Sequence, residues 1–324
     1  MEIYTALVGS YPRPIKLAKT ISRFRSGKID EKKFIDELDK FQKNFFSLME
    51  EFKVDYVTDG MVEWDDIADL TYSFLKGVEK GALDRFFDNN FYYRHLVVKS
   101  KLEYKEGNDY IKFMELARNN VKKNQKLKAV ILGPLSFLYM SKNVYYKGKS
   151  EELMKDYSLA VNSLLKDTEK YYDAVEIHDP YFFQDRVRKQ RVDTVREYYK
   201  IMLDGINKEK HVITYFSIKF DVLQDYFQLP VDVYGFDVTE GNKPMIGMLY
   251  NSTKDKKVYF GVLDSRNTKL DKISTIKRIV NNAREKGIQT LILGNSTFND
   301  LIPEIIVKRK FRILERAKEM ILNG

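Results

Sequence analysis

The chain has 324 residues, and 56 Lys+Arg against 47 Asp+Glu leave a formal charge of +9. With 44% hydrophobic and 14% aromatic residues it can build a sizeable core, which excludes global disorder. Zero cysteines exclude disulfides, thiolate nucleophiles and every thiolate metal site. No apolar run approaches the ~18 residues of a membrane span. The opening MEIYTALVGSYPRP has no basic segment ahead of an apolar one, so no signal peptide and a cytoplasmic location are expected. Lysines scattered among glutamates read as a solvated, thermophile-like surface of ion pairs, with an anionic ligand or nucleic acid as the alternative.

Short apolar runs bounded by breakers recur along the chain. They are 4–10 (YTALVGS), 55–60 (DYVTDG), 128–134 (KAVILGP) and 174–180 (AVEIHDP), then 211–217 (HVITYFS), 232–238 (DVYGFDV), 257–263 (KVYFGVL) and 290–296 (TLILGNS). Rich in β-branched and aromatic residues on both faces, they read as buried parallel strands. Phe34, Leu38, Phe41, Phe45, Leu48 and Phe52 recur at helical spacing and predict a helix over 30–53. Helices are expected likewise over 151–172, 192–207, 270–286 and 303–322, the last opening on Pro303 and burying Val307, Phe311, Leu314 and Ile321.

Eight strands alternating with helices predict a single (β/α)8 TIM barrel domain over 1–324. The alternative, an open doubly wound sheet, lacks a GxGxxG or P-loop after any strand. Residues 61–127 exceed one helix, so an insertion is expected between the second and third strands, with an aromatic excursion over 86–93.

Active sites of such barrels lie at the C-terminal strand ends. Those ends carry Ser10, Asp59, Gly133, His178 with Asp179, Phe216 with Ser217, Asp237 with Glu240, Asp264 with Arg266, and Asn295 with Ser296. Single Asp, Ser and Asn residues there also cap helices and saturate loop backbone. As a set they predict a ligand pocket. His178, Asp179 and Asp237 are the candidate acid–base groups. Ser10, Asp59, Asp264 and Arg266 are the candidate substrate contacts. The histidines are His95, His178 and His211, and His211 is read as beginning its strand, so a three-histidine zinc site is not expected. Arg13, Lys16 and Lys19 after the first strand, and Arg85 beside the aromatic excursion, could receive a polyanion; solvated helix charge is the plainer reading.

The ordered motifs resemble the cobalamin-independent methionine synthase family. VGSYPR at 8–13 resembles its opening, and Asp59-Gly60 before Trp64-Asp65-Asp66 its second strand segment. KAVILGPLS at 128–136 and EIHDP at 176–180 are similar to its third and fourth strands. LPVD at 229–232, GVLDSRN at 261–267 and LIPE at 301–304 continue the order. The resemblance implies a (β/α)8 barrel and transfer of a methyl group from a 5-methyltetrahydrofolate-type donor to homocysteine, whose thiol a zinc ion activates. It also implies zinc ligands after the fifth, sixth and eighth strands. This chain has Thr214-Tyr215-Phe216-Ser217, Asp237 and Asn295-Ser296-Thr297 there, so no bound zinc or other cofactor is expected. Parts of the chain resemble the family's zinc-less N-terminal barrel, and by that resemblance Arg13, Lys16, Lys19 and Arg85 would hold a folate tail. The expectation is a methyltransferase component that is inactive alone and supports a separate zinc-bearing barrel. The alternative is a stand-alone enzyme with altered chemistry on His178, Asp179 and Asp237. A nucleic-acid scaffold is a third possibility without a motif to carry it.

Overall fold

The computed structural model describes residues 1–87, 91–185 and 187–323, and of Glu240 only the backbone. Part of the aromatic excursion over 86–93 lies outside the described residues. The strands are β1 (Glu2–Ala6), β2 (Tyr56–Val57), β3 (Leu75–Arg85), β4 (Tyr92–Tyr104), β5 (Lys126–Leu132), β6 (Ser141–Asn143), β7 (Ala174–His178), β8 (Glu209–Ile213), β9 (Val233–Asp237), β10 (Lys257–Leu263) and β11 (Thr290–Asn295). Eight of them form a closed parallel barrel in the order β1-β11-β10-β9-β8-β7-β5-β2. This is the (β/α)8 architecture expected from the strand count. Every residue of β7 and β9 is buried, as strands covered on both faces must be.

By compactness the chain divides into two units, one of Met1–Glu63, Leu116–Lys128 and Phe236–Gly324, the other of Trp64–Glu115 and Ala129–Gly235. The first holds helices α1 (Ile15–Arg25) and α2 (Glu31–Glu51). Asp30 caps α2 by accepting the Lys33 N–H at 2.8 Å, and Phe34, Leu38, Phe45, Phe46 and Met49 form its buried face. Later in the chain, β1 pairs with β11 from Glu2↔Thr290 to Ala6↔Gly294. A Cβ on Gly294 would stand 2.2 Å from the Ala6 carbonyl and 2.5 Å from the Tyr259 hydroxyl, so only glycine fits this seam.

The second unit contains the insertion. It comprises α3 (Ile67–Phe74), the antiparallel hairpin of β3 and β4, and the start of α4 (Asp109–Asn120). The hairpin runs from Leu75↔Tyr104 to Arg85↔Tyr92, and β6 adds to β4 in parallel. The remaining helices of this unit are α5 (Pro134–Met140), α6 (Ser150–Thr168), α7 (Lys189–Leu203) and α8 (Leu223–Tyr226). In the first unit they are α9 (Ile246–Ser252), α10 (Ile273–Glu285) and α11 (Glu304–Leu322). No helix among the described residues is long and apolar enough to cross a membrane.

Expected strand limits need correction: the first strand is Glu2–Ala6 and not 4–10, the third barrel strand Lys126–Leu132 and not 128–134, and two further differences have a clear cause. The β2 ladder is only Tyr56–Val57, because the chain beyond it turns on Asp59 and Gly60. β8 begins at Glu209, so His211 is its third residue and not its first. Glu209 and Lys210 join the ladder opposite Ala174 and Val175 although both are charged, since backbone pairing does not depend on an apolar side chain.

The predicted stripe of α11 is buried at Val307, Phe311, Leu314 and Ile321, and so is Lys310. The Lys310 ammonium donates to the Lys269 carbonyl at 2.6 Å and to Asp271 at 2.8 Å. Breaking such a buried pair strands the remaining charge. Lys310→Met is expected to lower the unfolding free energy by about 3–5 kcal/mol, read from the midpoint of a urea titration at unchanged slope.

Candidate functional site

In the first unit the strand-end residues are engaged in two ways, some by nearby backbone and some by one another. Ser10, after β1, accepts the Asp300 N–H on its hydroxyl at 3.3 Å. Asp59 is buried and accepts the Met61 N–H at 2.9 Å, closing the turn after β2. Asp237, the last residue of β9, accepts the Thr239 N–H at 2.9 Å and the Thr239 hydroxyl at 2.6 Å. Asp264, just beyond β10, accepts the Arg266 N–H at 2.9 Å, the Arg266 Nε–H at 3.2 Å and the Asn267 amide at 2.6 Å. The Arg266 guanidinium also lies 3.6 Å from Asp237 and donates to the Thr239 hydroxyl. Asp237, Asp264 and Arg266 are therefore brought together, with one guanidinium compensating two carboxylates. Of the three, Asp264 lines a cavity of about 270 Å³, together with Thr239, Asn267, Lys243, Lys269 and Lys272.

The basic residues after β1 do not act as a cluster. The Arg13 Nε–H donates to the Val62 carbonyl at 2.6 Å, so its side chain is committed to backbone. Lys16 pairs with Glu37 at 2.7 Å on the rim of a cavity of about 400 Å³ lined by Tyr11, Phe41, Phe45 and Glu304. Lys19 is exposed on α1. Arg85 belongs to the other unit, exposed at the end of β3.

In the second unit, His178 ends β7 and Asp179 follows it, and the two side chains have separate partners. His178 and Glu176 share one face of β7, with Nε2 at 2.7 Å from the Glu176 carboxylate and both side chains fully buried. Asp179 accepts the Ser136 N–H at 2.7 Å, the Ser136 hydroxyl at 2.6 Å and the Tyr199 hydroxyl at 2.9 Å. Burial raises the Asp179 carboxyl to about 6, against the lowering effect of those donors. Gly133 leaves the space for it, since a Cβ there would meet the carboxylate at 2.4 Å.

An aromatic layer lies over this histidine. Tyr215 packs edge-on to His178 at 5.8 Å, and Phe87, at the hairpin tip, packs on Tyr181 at 4.8 Å and Phe216 at 5.0 Å. Phe87 and Phe216 both hold positive φ, +56° and +78°, a strained state for bulky side chains. The residues missed by sequence reasoning are Glu176, Ser136, Tyr199 and Thr239. Glu176 was legible: two ionisable residues at i and i+2 in an otherwise apolar strand share a face and need each other.

A family model described as "Cobalamin-independent synthase, N-terminal domain" matches residues 75–287. The chain belongs to this family. It is 27% identical over 283 residues to the methionine synthase of Saccharolobus solfataricus, covering 87% of this chain and 82% of that one. It is also 27% identical over 269 residues to the methionine synthase of Sulfurisphaera tokodaii, covering 82% and 77%. The fold matches a Shewanella B12-independent methionine synthase solved with selenomethionine, at a TM-score of 0.83, 15% identity and coverage of 100% and 98%. A methyltransferase from Methanosarcina mazei matches at a TM-score of 0.63, with 13% identity over 98% and 94% of the two chains.

The zinc implied by resemblance to this synthase family can be tested on the donor set. Asn295 stands at the eighth barrel strand end, where the resemblance implies a thiolate. Its amide accepts the Val8 N–H at 2.9 Å and donates to the carbonyls of Val8 and Thr297, both at 2.7 Å. The Thr214 hydroxyl donates to the Gly235 carbonyl at 2.8 Å, and Ser217 to that of Phe183 at 2.9 Å. No group of three or more His, Cys, Asp or Glu able to hold a metal occurs among the described residues. These neutral, committed side chains do not fit a thiolate-type zinc site.

The Asp179 geometry fixes a pH dependence. Its folded value of about 6 lies above the ordinary 3.8, so its stabilising contribution is complete below about pH 4 and is lost as pH rises through 6. Relative to Asp179→Asn, the wild type is expected to lose on the order of 3 kcal/mol of stability between about pH 4 and pH 7. Paired denaturant titrations across that range check it; a pH-independent difference would contradict it.

Proposed function

We propose that this chain is a methyltransferase component of the cobalamin-independent methionine synthase type, acting beside a separate barrel that carries the zinc. The observation that carries the reading is Asn295, whose amide is consumed in bracing Val8 and Thr297 at the strand end where a metal-binding thiolate would be needed. Family membership and likeness to archaeal methionine synthases support methyl transfer to a thiol as the reaction class. The absence of any cysteine in the chain argues that thiol activation is supplied elsewhere.

In this reading the chain contributes binding. Lys16 on the rim of its cavity, with Lys19 nearby on α1, offers cationic groups to the acidic tail of a folate-type donor. Arg266 offers an anchor for a carboxylate, and Asp264 beside it one for an ammonium. A second reading, a stand-alone enzyme, is favoured by the buried Glu176–His178 pair, because a histidine oriented by a carboxylate is the usual form of a general base.

The test is reconstitution. The purified chain, loaded with zinc and dialysed, is expected to hold close to no zinc by elemental analysis. It should form no methionine from methyl donor and homocysteine until a zinc-bearing barrel of the same family is added. About one zinc per chain with full activity alone would overturn the reading. Activity alone that is abolished by His178→Gln without zinc would move the assignment to the stand-alone enzyme.

A further inference from the structure

Glu63, in the segment after β2, and Gln42, on the buried face of α2, meet inside the first unit with almost no exposure. The Gln42 amide N–H donates to one carboxyl oxygen of Glu63 at 3.3 Å. The other carboxyl oxygen of Glu63 and the amide oxygen of Gln42 are both buried and both lack a hydrogen-bond partner. Two buried acceptors left over from a single contact are costly. One proton removes both deficits. A carboxylic acid and a primary amide are complementary, and each can donate once and accept once to the other.

We propose that Glu63 is held as the neutral acid and closes a two-hydrogen-bond ring with Gln42, making the pair a proton-dependent latch between α2 and the segment after β2. The segment it fastens is the one whose carbonyls hold two arginines. Val62 accepts from Arg13 at 2.6 Å, and Glu63 accepts from Arg25 at 3.2 Å. The latch therefore fixes the place of Arg13 and Arg25 independently of any role in methyl transfer.

The charged neighbours come from each element packed there. Burial, and then the Asp59 carboxylate after β2, push the Glu63 carboxyl well above the ordinary carboxylate range. Its own backbone N–H, the Arg13 guanidinium after β1 and the Gln42 amide of α2 act the other way. Arg25, at the end of α1, touches the Glu63 carbonyl. With a raised folded value, the contribution of Glu63 to stability is complete below the unfolded carboxylate range and is lost as pH rises toward the folded value.

The test is infrared spectroscopy of the whole chain in heavy water at about pH 8, where Asp179, at about 6, is ionised. The wild type is expected to show the carbonyl band of a protonated carboxylic acid, and Glu63→Gln, whose amide can close the same ring without a proton, is expected to lack it. Identical spectra would overturn the proposal. Thermal unfolding gives a second readout: the two proteins should melt together at about pH 4, and Glu63→Gln should melt several degrees higher at about pH 7. A melting difference that does not change with pH would sink the latch. Should Glu63→Gln fail to fold, Gln42→Leu decides. It removes the donor to the Glu63 carbonyl, so the band should move to higher wavenumber, and a band that stays in place would refute the ring.

Discussion

Strands buried on both faces impose the constraint on which everything else rests. A parallel barrel under a helical layer leaves no solvent for polar groups within its strands, so each ionisable side chain placed there must bring its own partner. Glu176 and His178 pair across two residues of one strand. Asp179 has Ser136 and Tyr199, and Asp237 has Thr239. The spacing of these residues is set by strand alternation, and their chemistry by the need to satisfy a buried charge. Much of what resembles catalytic furniture in the sequence is, in the folded chain, already occupied.

The same constraint explains what could be read in advance. Apolar runs of uniform character mark strands clearly, and their alternation with helical periodicity points to the barrel that the pairing of β1 with β2 and β11 closes. Strand limits were less legible. Glu209 and Lys210 belong to β8 because the ladder is made by backbone groups, which composition does not report. The hairpin of β3 and β4 was expected only as extra structure, since its sequence is mostly exposed and lacks a strong alternating pattern.

Site residues were legible as residue types at strand ends, and their relations were not. His178 and Asp179 are adjacent candidate acid–base groups in the sequence, yet in the fold His178 pairs with Glu176 and Asp179 with Ser136 and Tyr199. Asp264 and Arg266, two apart, do meet, because the chain has left the strand and turned. The long-range partners, Ser136 for Asp179 and Gln42 for Glu63, lie 43 and 21 residues away in sequence and leave no local signal.

Asn295 shows how a strand-end polar residue can serve structure. A thiolate would need deprotonation and a metal to be tolerated beside the buried β1–β11 seam. A neutral amide needs neither: it offers an acceptor and two donors, and the chain supplies Val8 and Thr297 to match them. Gly294 beside it allows the close approach that brings Val8 within reach. The seam is thus braced from within by side chain and backbone together. A barrel organised this way keeps the family's architecture and strand-end polarity while its strand-end loops are held by side-chain amides, hydroxyls and backbone groups of the chain itself.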